Sequence, residues 1–448
     1  MGTRAMARLL LAAALLAGAV GAQEEPPAEA ADAGLHPALR WGFEAKTHVR
    51  RSDGNRFLVP FVPPGLPPGE RAFEETVNEG THVEVSLLTL WLDAEWGDAV
   101  AARAKVDFID LYDRNPTSTD NEIDVDEVWL RLGRDGDPGT LPAGSGAYLK
   151  VGKFGKFERQ DDRHLESYGV VSTAFNRFED AGIELGADLG RHVYLKASVT
   201  QGNPVFLRDP NALAGDNGTQ ALLRDPPDPA LESGIVILYD AEVEDLDVDG
   251  DPELGAGLGW RLGNAAGDAV DVLVWGYRRK LADTVALEGT FYGGDLDLLD
   301  GPFGLARLPV EGDEKREVGA SLWLYWRGLS FFGQYVDQDL AGLPRAGLEA
   351  ELAWRFELPL VAAVGGRQLF PAIAPALRWS RLDNDFRNPP NAVAPSLAWD
   401  WEKIDYGVRL SIVQGVDVTL EYAAHDFVLA SGAHRDNDEF LGTLRWRM

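Results

Sequence analysis

The sequence predicts an all-β fold, a transmembrane antiparallel up-and-down β-barrel of 16 to 18 strands, from three observations. Apolar and polar residues alternate in segments of about ten residues, the length that a tilted strand needs to cross a bilayer. Short and long connections tend to alternate between these segments, as turns and loops do at the two ends of such a barrel. The last alternating segment, 438–448, runs to the final residue.

The clearest alternation lies in 181–200. One face of its first half carries Ile183 and Leu185, and the opposite face carries Glu184 and Asp188. Two such runs joined by a Gly-Arg turn are typical of an antiparallel hairpin. In a barrel that sits in lipid, the apolar face would point outward and the charged face would line water.

We predict strands at eighteen places along the chain. They lie near 39–50, 82–93, 99–110, 124–133, 147–154, 179–189, 192–201, 234–242, 254–262, 268–280, 283–293, 316–327, 329–338, 347–358, 372–382, 402–413, 416–428 and 438–448. Some connections depart from the short and long rhythm. The connections 134–146, 243–253 and 359–371 are long where a short one is expected, and 263–267 is short where a long one is expected.

The N-terminal region predicts export. A basic start, an apolar run and small residues before Gln23 are typical of a signal peptide over 1–22. Residues 23–38 are rich in Ala, Glu and Pro and predict a disordered lead-in, and 39–448 is the predicted barrel. The formal net charge of −30 argues against a nucleic-acid partner. There is no cysteine, so disulfides do not stabilise the fold.

A soluble exported β-protein is the main alternative fold, because the same alternation would then place the apolar face in a core. Strand length, the rhythm of the connections and the alternating C-terminal strand favour the barrel. A propeller would show a repeat period, and none is found.

Three segments carry a resemblance to a known family. Asp126-Glu-Val-Trp-Leu-Arg-Leu132, Ala147-Tyr-Leu-Lys-Val-Gly-Lys-Phe-Gly-Lys-Phe-Glu158 and Phe178-Glu-Asp-Ala-Gly-Ile-Glu-Leu-Gly186 resemble the phosphate-selective porin O/P family of Gram-negative outer membranes. Lys153 stands where that family usually has Gln, and the Pro of its motif is missing. The resemblance implies an outer-membrane barrel of 16 strands, often a homotrimer, with one loop folded into the lumen.

A basic cluster precedes and enters the loop 155–178. Its members are Lys150, Lys153, Lys156, Arg159, Arg163 and His164, with Arg177 at the far end of the loop. If the loop folds inward, these cations predict a constriction, because rings of Lys or Arg select anions. Acidic residues are interleaved with the bases, so a solvated surface loop is the alternative interpretation.

Alternation predicts which charged residues line the lumen. They include Arg103, Lys105, Arg131, Glu184, Asp188, Lys196, Arg355 and Arg409, together with the acids Glu349, Glu351, Asp405, Asp417 and Glu421. Such an acid-rich wall favours cations by simple electrostatics. Trp91, Trp275, Tyr277, Trp354, Trp379 and Trp446 are predicted to lie in the aromatic girdles at the membrane interfaces.

One acidic segment predicts a partial calcium site. Asp245, Asp247 and Asp249 have the oxygen-ligand spacing of a calcium loop, and Glu253 is a further candidate ligand. The twelfth position, where a bidentate Glu is expected, is Ala256. The alternative is a solvated acidic turn. The sequence implies no other cofactor.

The predicted function is passive diffusion of small hydrophilic solutes or ions through an outer-membrane porin, with anions such as phosphate among the candidate solutes. The alternative is a structural or binding barrel whose acidic loops engage divalent ions or envelope polysaccharide. The chain has no nucleophile elbow, no zinc-binding helix motif and no P-loop. We therefore expect that it is not an enzyme.

Overall fold

The structure is a computed structural model of the chain. It describes residues 37–52, 56–58, 73–75, 80–97, 99–110, 123–135, 146–158, 163–167, 169–175, 179–202, 240–242, 251–264, 267–280, 286–288, 314–340, 342–385, 400–428, 432–436 and 438–448. The predicted signal peptide and almost all of the predicted lead-in lie outside these residues. Among the residues described, no helix is both long enough and apolar enough to cross a membrane.

Sixteen antiparallel strands form a closed barrel, as predicted. They are β1 (Ala38–Ser52), β2 (Gly80–Trp96), β3 (Val100–Asp110), β4 (Asp124–Gly133), β5 (Gly146–Gly155), β6 (Glu179–Leu189), β7 (Val193–Thr200), β8 (Glu253–Gly263), β9 (Ala269–Lys280), β10 (Glu314–Trp326), β11 (Leu329–Leu340), β12 (Leu343–Trp354), β13 (Ala372–Asn384), β14 (Asp400–Val413), β15 (Val416–Val428) and β16 (Glu439–Arg447). Each strand pairs with its neighbours in sequence, and β1 closes the ring: its Ala45 lies opposite Leu88 of β2 and Trp446 of β16.

Shorter elements accompany the barrel. Helix α1 (Val170–Ala174) lies in the connection between β5 and β6, and Phe356–Glu357 continues β12 along β13. His434–Asp436 pairs with the end of β15. Separate two-stranded ladders join Arg56–Leu58 to Phe73–Glu75 and Ala362–Val364 to Arg367–Leu369.

Two of the eighteen predicted strands are not part of the barrel wall. The described parts of 234–242 and 283–293 are Asp240–Glu242 and Ala286–Glu288, which pair with each other in a separate sheet. They belong to the long connections after β7 and β9. Without these two strands, residues 243–252 belong to the long connection between β7 and β8, and the connection between β8 and β9 falls on the short-turn side. The exceptions noted for 243–253 and 263–267 therefore disappear.

The alternation has the orientation expected in lipid. Ile183 and Leu185 are 45% and 54% exposed on the outer face of β6, whereas Glu184 between them is buried inside the barrel. Backbone hydrogen bonds close within the wall, which leaves an apolar outer surface that lipid can cover. A soluble β-protein would bury this face, so the soluble alternative does not fit the structure.

Aromatic residues mark the short-turn end of the outer face. Exposed rings there belong to Trp41, Trp260, Trp326, Trp354, Phe356 and Trp446, and they form the girdle typical of the periplasmic interface. The girdle prediction was wrong for Trp91, Trp275 and Tyr277, because their strand positions place them on the inner face. Trp275 and Tyr277 are buried in an aromatic cluster inside the barrel.

Glycines on the inner face lie directly opposite large rings. Register partners are Gly42 and Trp91, Gly186 and Tyr148, Gly255 and Tyr277, Gly259 and Tyr194, and Gly319 and Trp275. In each pair, a Cβ on the glycine would overlap the partner's ring. The glycines therefore leave space in which aromatic rings lie flat against the wall.

Candidate functional site

The connection between β5 and β6, residues 156–178, enters the barrel, and we call it the inner loop. Its described residues are 156–158, 163–167 and 169–175. Backbone N–H groups of His164, Glu166 and Ser167 donate to carboxylates of β12 and β15. Those strands lie on the wall opposite β5 and β6 in the strand order. The loop therefore crosses the lumen.

Ser167 binds the far wall through its backbone and its side chain. Its N–H donates to Glu421 Oε1 at 2.9 Å and its hydroxyl to Asp405 Oδ1 at 3.1 Å. Arg378 Nη2 donates to the Ser167 carbonyl oxygen at 2.7 Å, and Arg378 Nε donates to Asp405 Oδ2 at 2.9 Å. All four residues are buried. Charge-assisted hydrogen bonds shielded from water are strong, so this group fixes the loop to the wall.

Glu166 makes a second attachment. Its carboxylate lies 3.0 Å from Lys46 Nζ, accepts from Arg409 Nη2 at 2.7 Å and lies 4.0 Å from Arg445 Nη1. Burial raises the pKa of Glu166, but Lys46, Arg409 and Arg445 outweigh it, so the pKa lies well below its ordinary value. The side chain is therefore an anion at neutral pH.

Helix α1 packs the rest of the loop against β12. Val171 and Phe175 are fully buried, and a Cβ at Gly347 would overlap the Phe175 ring and lie 3.1 Å from a Val171 methyl group. Val171 N–H donates to Glu349 Oε2 at 3.3 Å. Gly169 lies against the same carboxylate, and a Cβ at this position would overlap it. The helix is therefore a packed apolar element of the lumen.

The first residues of the inner loop are held by the near wall. The ammonium of Lys156 lies 2.5 Å from Glu253 Oε1, and the ammonium of Lys315 lies 2.7 Å from Glu253 Oε2. Burial lowers the pKa of Lys156, but the carboxylates of Glu253, Asp180, Glu158 and Glu317 outweigh it and raise the pKa above its ordinary value. This pairing neutralises the Lys156 charge within the wall.

The predicted basic constriction is only partly assembled. Lys150 lies on the inner face of β5, with its ammonium 3.3 Å from Glu184 Oε1. Lys153 pairs in register with Val128, an exposed outer residue, so it belongs to the outer face of β5 rather than the lumen. Lys156 is buried as described, and the Arg163 carbonyl accepts from Arg409 Nη1 at 3.1 Å. Arg159 and Arg177 lie outside the described residues.

The predicted lumen residues lie on the inner side, and most have ionic partners there. Arg103 Nε donates to Asp93 Oδ1 at 2.8 Å, Lys105 pairs with Asp126, and Arg261 donates to Asp188 at 2.7 Å. Lys196 lies 3.8 Å from Asp135, and the Tyr148 hydroxyl donates a hydrogen bond to Glu184 Oε1 at 2.7 Å. Arg131, Arg355 and Arg409 complete the set. The wall is therefore a network of compensated charges.

A cavity of about 280 Å³ opens between the inner loop and the short-turn end of the barrel. Its lining is His164, Arg355, Ala372, Ala374, Arg409, Ser411, Asp417 and Arg445. Three guanidinium groups and one carboxylate belong to this lining, so its side chains carry more positive than negative charges. Each guanidinium also has a carboxylate partner: Arg445 lies 2.8 Å from Asp417, Arg355 lies 2.8 Å from Glu357, and Arg409 lies 2.7 Å from Glu166. Arg355 is the most exposed of the three, with about half of its side chain accessible.

Most of the acidic residues on the inner wall do not line the cavity. Glu351, Glu421 and Glu349 accept hydrogen bonds from inner-loop N–H groups, and Asp405 binds Arg378 and Lys403. These carboxylates are buried and hold the loop. Only Asp417 among the predicted wall acids lines the cavity. The cation preference inferred from a count of inward acids does not follow once these partners are included.

The candidate metal ligands have other partners or lie outside the described residues. Asp245, Asp247 and Asp249 lie outside them, and Glu253 engages Lys156 and Lys315, so the calcium site stays a prediction. Within the described part of the chain, carboxylate oxygens of Asp126, Glu127 and Glu179 lie within 4.8 Å of one another. Lys105 already pairs with Asp126.

Sequence reasoning missed the residues that fasten the inner loop. Lys46, Ser167, Arg378 and Arg445 were not predicted as site residues. Arg378 lies at an inward position of β13, so alternation could have placed it in the lumen. The apolar residues Val170, Val171, Ala174 and Phe175, close together in a polar loop, were a signal that this segment is covered.

Comparison with known proteins supports the fold. No family profile matches the chain, and no sequence of a characterised protein matches it. The outer membrane channel DcaP of Acinetobacter baumannii is 10% identical, with a TM-score of 0.50 over 93% of this chain and 99% of that one. OprB of Pseudomonas putida is 11% identical, with a TM-score of 0.50 over 93% of this chain and 95% of that one. OmpT of Vibrio cholerae, solved in a trimer form, is 9% identical, with a TM-score of 0.48 over 92% of this chain and 100% of that one.

The chain thus has the fold of the outer-membrane barrels of Gram-negative bacteria, with a loop folded across its lumen. The comparisons do not single out the phosphate-selective porin O/P family, so that resemblance stays a prediction.

Proposed function

We propose that this protein is an outer-membrane porin through which small hydrophilic solutes diffuse passively, with a preference for anions. The observation that carries the proposal is the cationic cavity beside the inner loop. A solute that passes the loop meets Arg355, Arg409 and Arg445, and guanidinium groups at a narrowing attract anions and repel cations. No cofactor is needed for this mechanism.

The ion pairs of the wall support the preference. The wall acids are occupied by the inner loop and by neighbouring bases. Of the carboxylates that pair with the cavity's guanidinium groups, only Asp417 belongs to the lining, so a solute in the cavity meets more cations than anions. A unit charge at about 4 Å in water is worth about 1 kcal/mol, or about a fivefold change in local ion concentration. Phosphate, which the sequence resemblance implies, is the specific anion that we propose to test. The homotrimer implied by the same resemblance belongs to the proposal and is tested by the mass of the native protein in detergent.

Planar-bilayer recording on the purified barrel tests the proposal. We expect stepwise conductance, an anion-selective reversal potential in a salt gradient, and reduced chloride current when phosphate is added. The variant Arg355→Gln removes the most exposed cation of the cavity and retains Arg378, Arg409 and Arg445, which hold the inner loop. Its anion preference should fall by up to about fivefold.

A matched control removes the same charge from the outer face. Arg278 lies there and pairs with Glu314, so Arg278→Gln should leave the reversal potential unchanged. Cation selectivity of the native protein would overturn the anion preference. Absence of stepwise conductance would overturn the porin itself and favour the structural or binding barrel.

A further inference from the structure

The connection between β12 and β13 ends in a folded hairpin, 358–371, which we call the rim hairpin. Ala362–Val364 pairs with Arg367–Leu369, and the two residues between them, Gly365 and Gly366, have φ of +60° and +79°. Two positive φ values in a two-residue loop are the geometry of a tight β-hairpin turn. The connection is therefore a defined element, although it lies on the side where turns are short.

Backbone hydrogen bonds join the rim hairpin to the barrel wall. Leu358 N–H donates to the Pro371 carbonyl at 2.8 Å, which continues the pairing of β12 with β13. Phe370 N–H donates to the Ile412 carbonyl at 2.9 Å, near the end of β14. The hairpin thus extends the sheet beyond the short-turn end of the barrel.

The rim hairpin exposes apolar side chains. Leu360, Val361 and Val364 are 70%, 85% and 63% exposed, and residues 358–366 contain no charged side chain. The neighbouring turns at the same end are polar, with Asn264, Arg327 and Gln414 at their surfaces. An apolar surface of this kind is typical of a contact with another apolar phase or partner.

The apolar surface is continuous with the lipid-facing belt. Trp354 and Phe356 are exposed on the outer face immediately before the hairpin, and their rings stack at 5.3 Å. Phe370, at its far end, is exposed as well. Arg367 supplies a cation, which suits phosphate headgroups beside an apolar segment.

We propose that the rim hairpin lies in the interface of the inner leaflet and anchors the barrel to phospholipid there. Its apolar residues extend the belt of β12 past the girdle into the zone where acyl chains meet headgroups. This role concerns the lipid and is independent of whether the barrel conducts.

The absence of cysteine from the chain allows a site-specific test. Val364→Cys carries an environment-sensitive dye on the rim hairpin, and Gln414→Cys carries it on an exposed polar turn at the same end. The full-length barrel is reconstituted in phosphatidylcholine vesicles with bromine at defined acyl-chain positions. We expect a blue shift and several-fold stronger quenching at position 364 than at 414.

A second variant tests whether the hairpin or only the attached dye enters the lipid. Leu360→Asp/Val361→Asp in the Val364→Cys background should reduce the quenching to the level at 414, and heat-modifiable migration checks that the barrel has folded. Unchanged quenching in this variant would mean that the dye alone enters the lipid, and it would overturn the proposal. Equal, weak quenching at both positions would overturn it too, and disulfide-linked dimers of undyed Val364→Cys would then identify a second copy of the chain as the occupant.

Discussion

Arg378 on β13 donates a hydrogen bond to the carbonyl oxygen of Ser167 in the inner loop, at 2.7 Å. Both residues are buried, and they belong to segments about two hundred positions apart in the chain. Because the same guanidinium binds Asp405 at 2.9 Å, one side chain joins the loop to the far wall. These contacts hold the inner loop across the lumen.

Replacing Arg378 should release the inner loop. Arg378→Met leaves Asp405 paired with Lys403 but not with a guanidinium, and it removes the guanidinium beside Glu351. Breaking a buried ionic network costs about 3–5 kcal/mol. We expect larger and noisier single-channel conductance, measured in planar bilayers. Arg381→Met is the matched control, because Arg381 lies on the outer face of the same strand and pairs with Asp383. Native conductance in Arg378→Met would show that other contacts suffice.

Acid should detach the loop only well below neutral pH. The pKa of Glu166 is lower in the folded state than its ordinary value of 4.5. Its contribution is therefore complete above the ordinary value and is lost as pH falls through the lower, folded value. Conductance should stay constant between pH 7 and about pH 5 and change at stronger acidity.

The variant Glu166→Gln tests the source of that transition. It removes the charge that Lys46, Arg409 and Arg445 share, so it should show the acid conductance already at pH 7. Glu357→Gln, at the exposed rim, should retain the native pH profile. If Glu166→Gln also follows the native profile, another group governs the transition.

Two lysines on one strand should differ in their effect on selectivity. Lys150 lies on the inner face of β5 and Lys153 on its outer face. Lys150→Gln should shift the reversal potential toward cations, because it removes a cation from the lumen. Lys153→Gln removes the same charge and should leave the potential unchanged, and equal shifts would contradict this assignment of faces.

Barrel stability should depend on the absence of a side chain at Gly186, opposite the Tyr148 ring. A Cβ at Gly186 would overlap the Tyr148 ring, and overpacking typically costs about 1–3 kcal/mol. Gly186→Ala should therefore lower the temperature at which the folded gel band converts to the unfolded one. Gly146→Ala is the control, because nothing lies within 4 Å of a Cβ at that position of β5. Equal transition temperatures would show that the ring moves aside freely.

The fold was accessible from the sequence because alternation is a local property. Residues such as Ile183, Glu184 and Leu185 define two faces of a strand by period two alone, and the structure confirms that the apolar face points out of the barrel. Local patterns could not separate wall strands from other strands. The segments 234–242 and 283–293 alternate well enough to be predicted, yet their described parts pair with each other outside the barrel.

The sequence by itself thus determined the barrel, its apolar exterior and most of the charged positions inside. Only the tertiary structure decided which of those charges neutralise one another. The positive charge of Lys156 is compensated by Glu253, and the negative charge of Glu166 by Lys46, Arg409 and Arg445. The Glu421 carboxylate accepts hydrogen bonds from N–H groups of the inner loop. These partners lie on different strands of a closed ring, and the distance between them depends on strand order and loop path. Charge compensation is therefore a property of the folded barrel, and so is the cationic cavity on which the proposed selectivity rests.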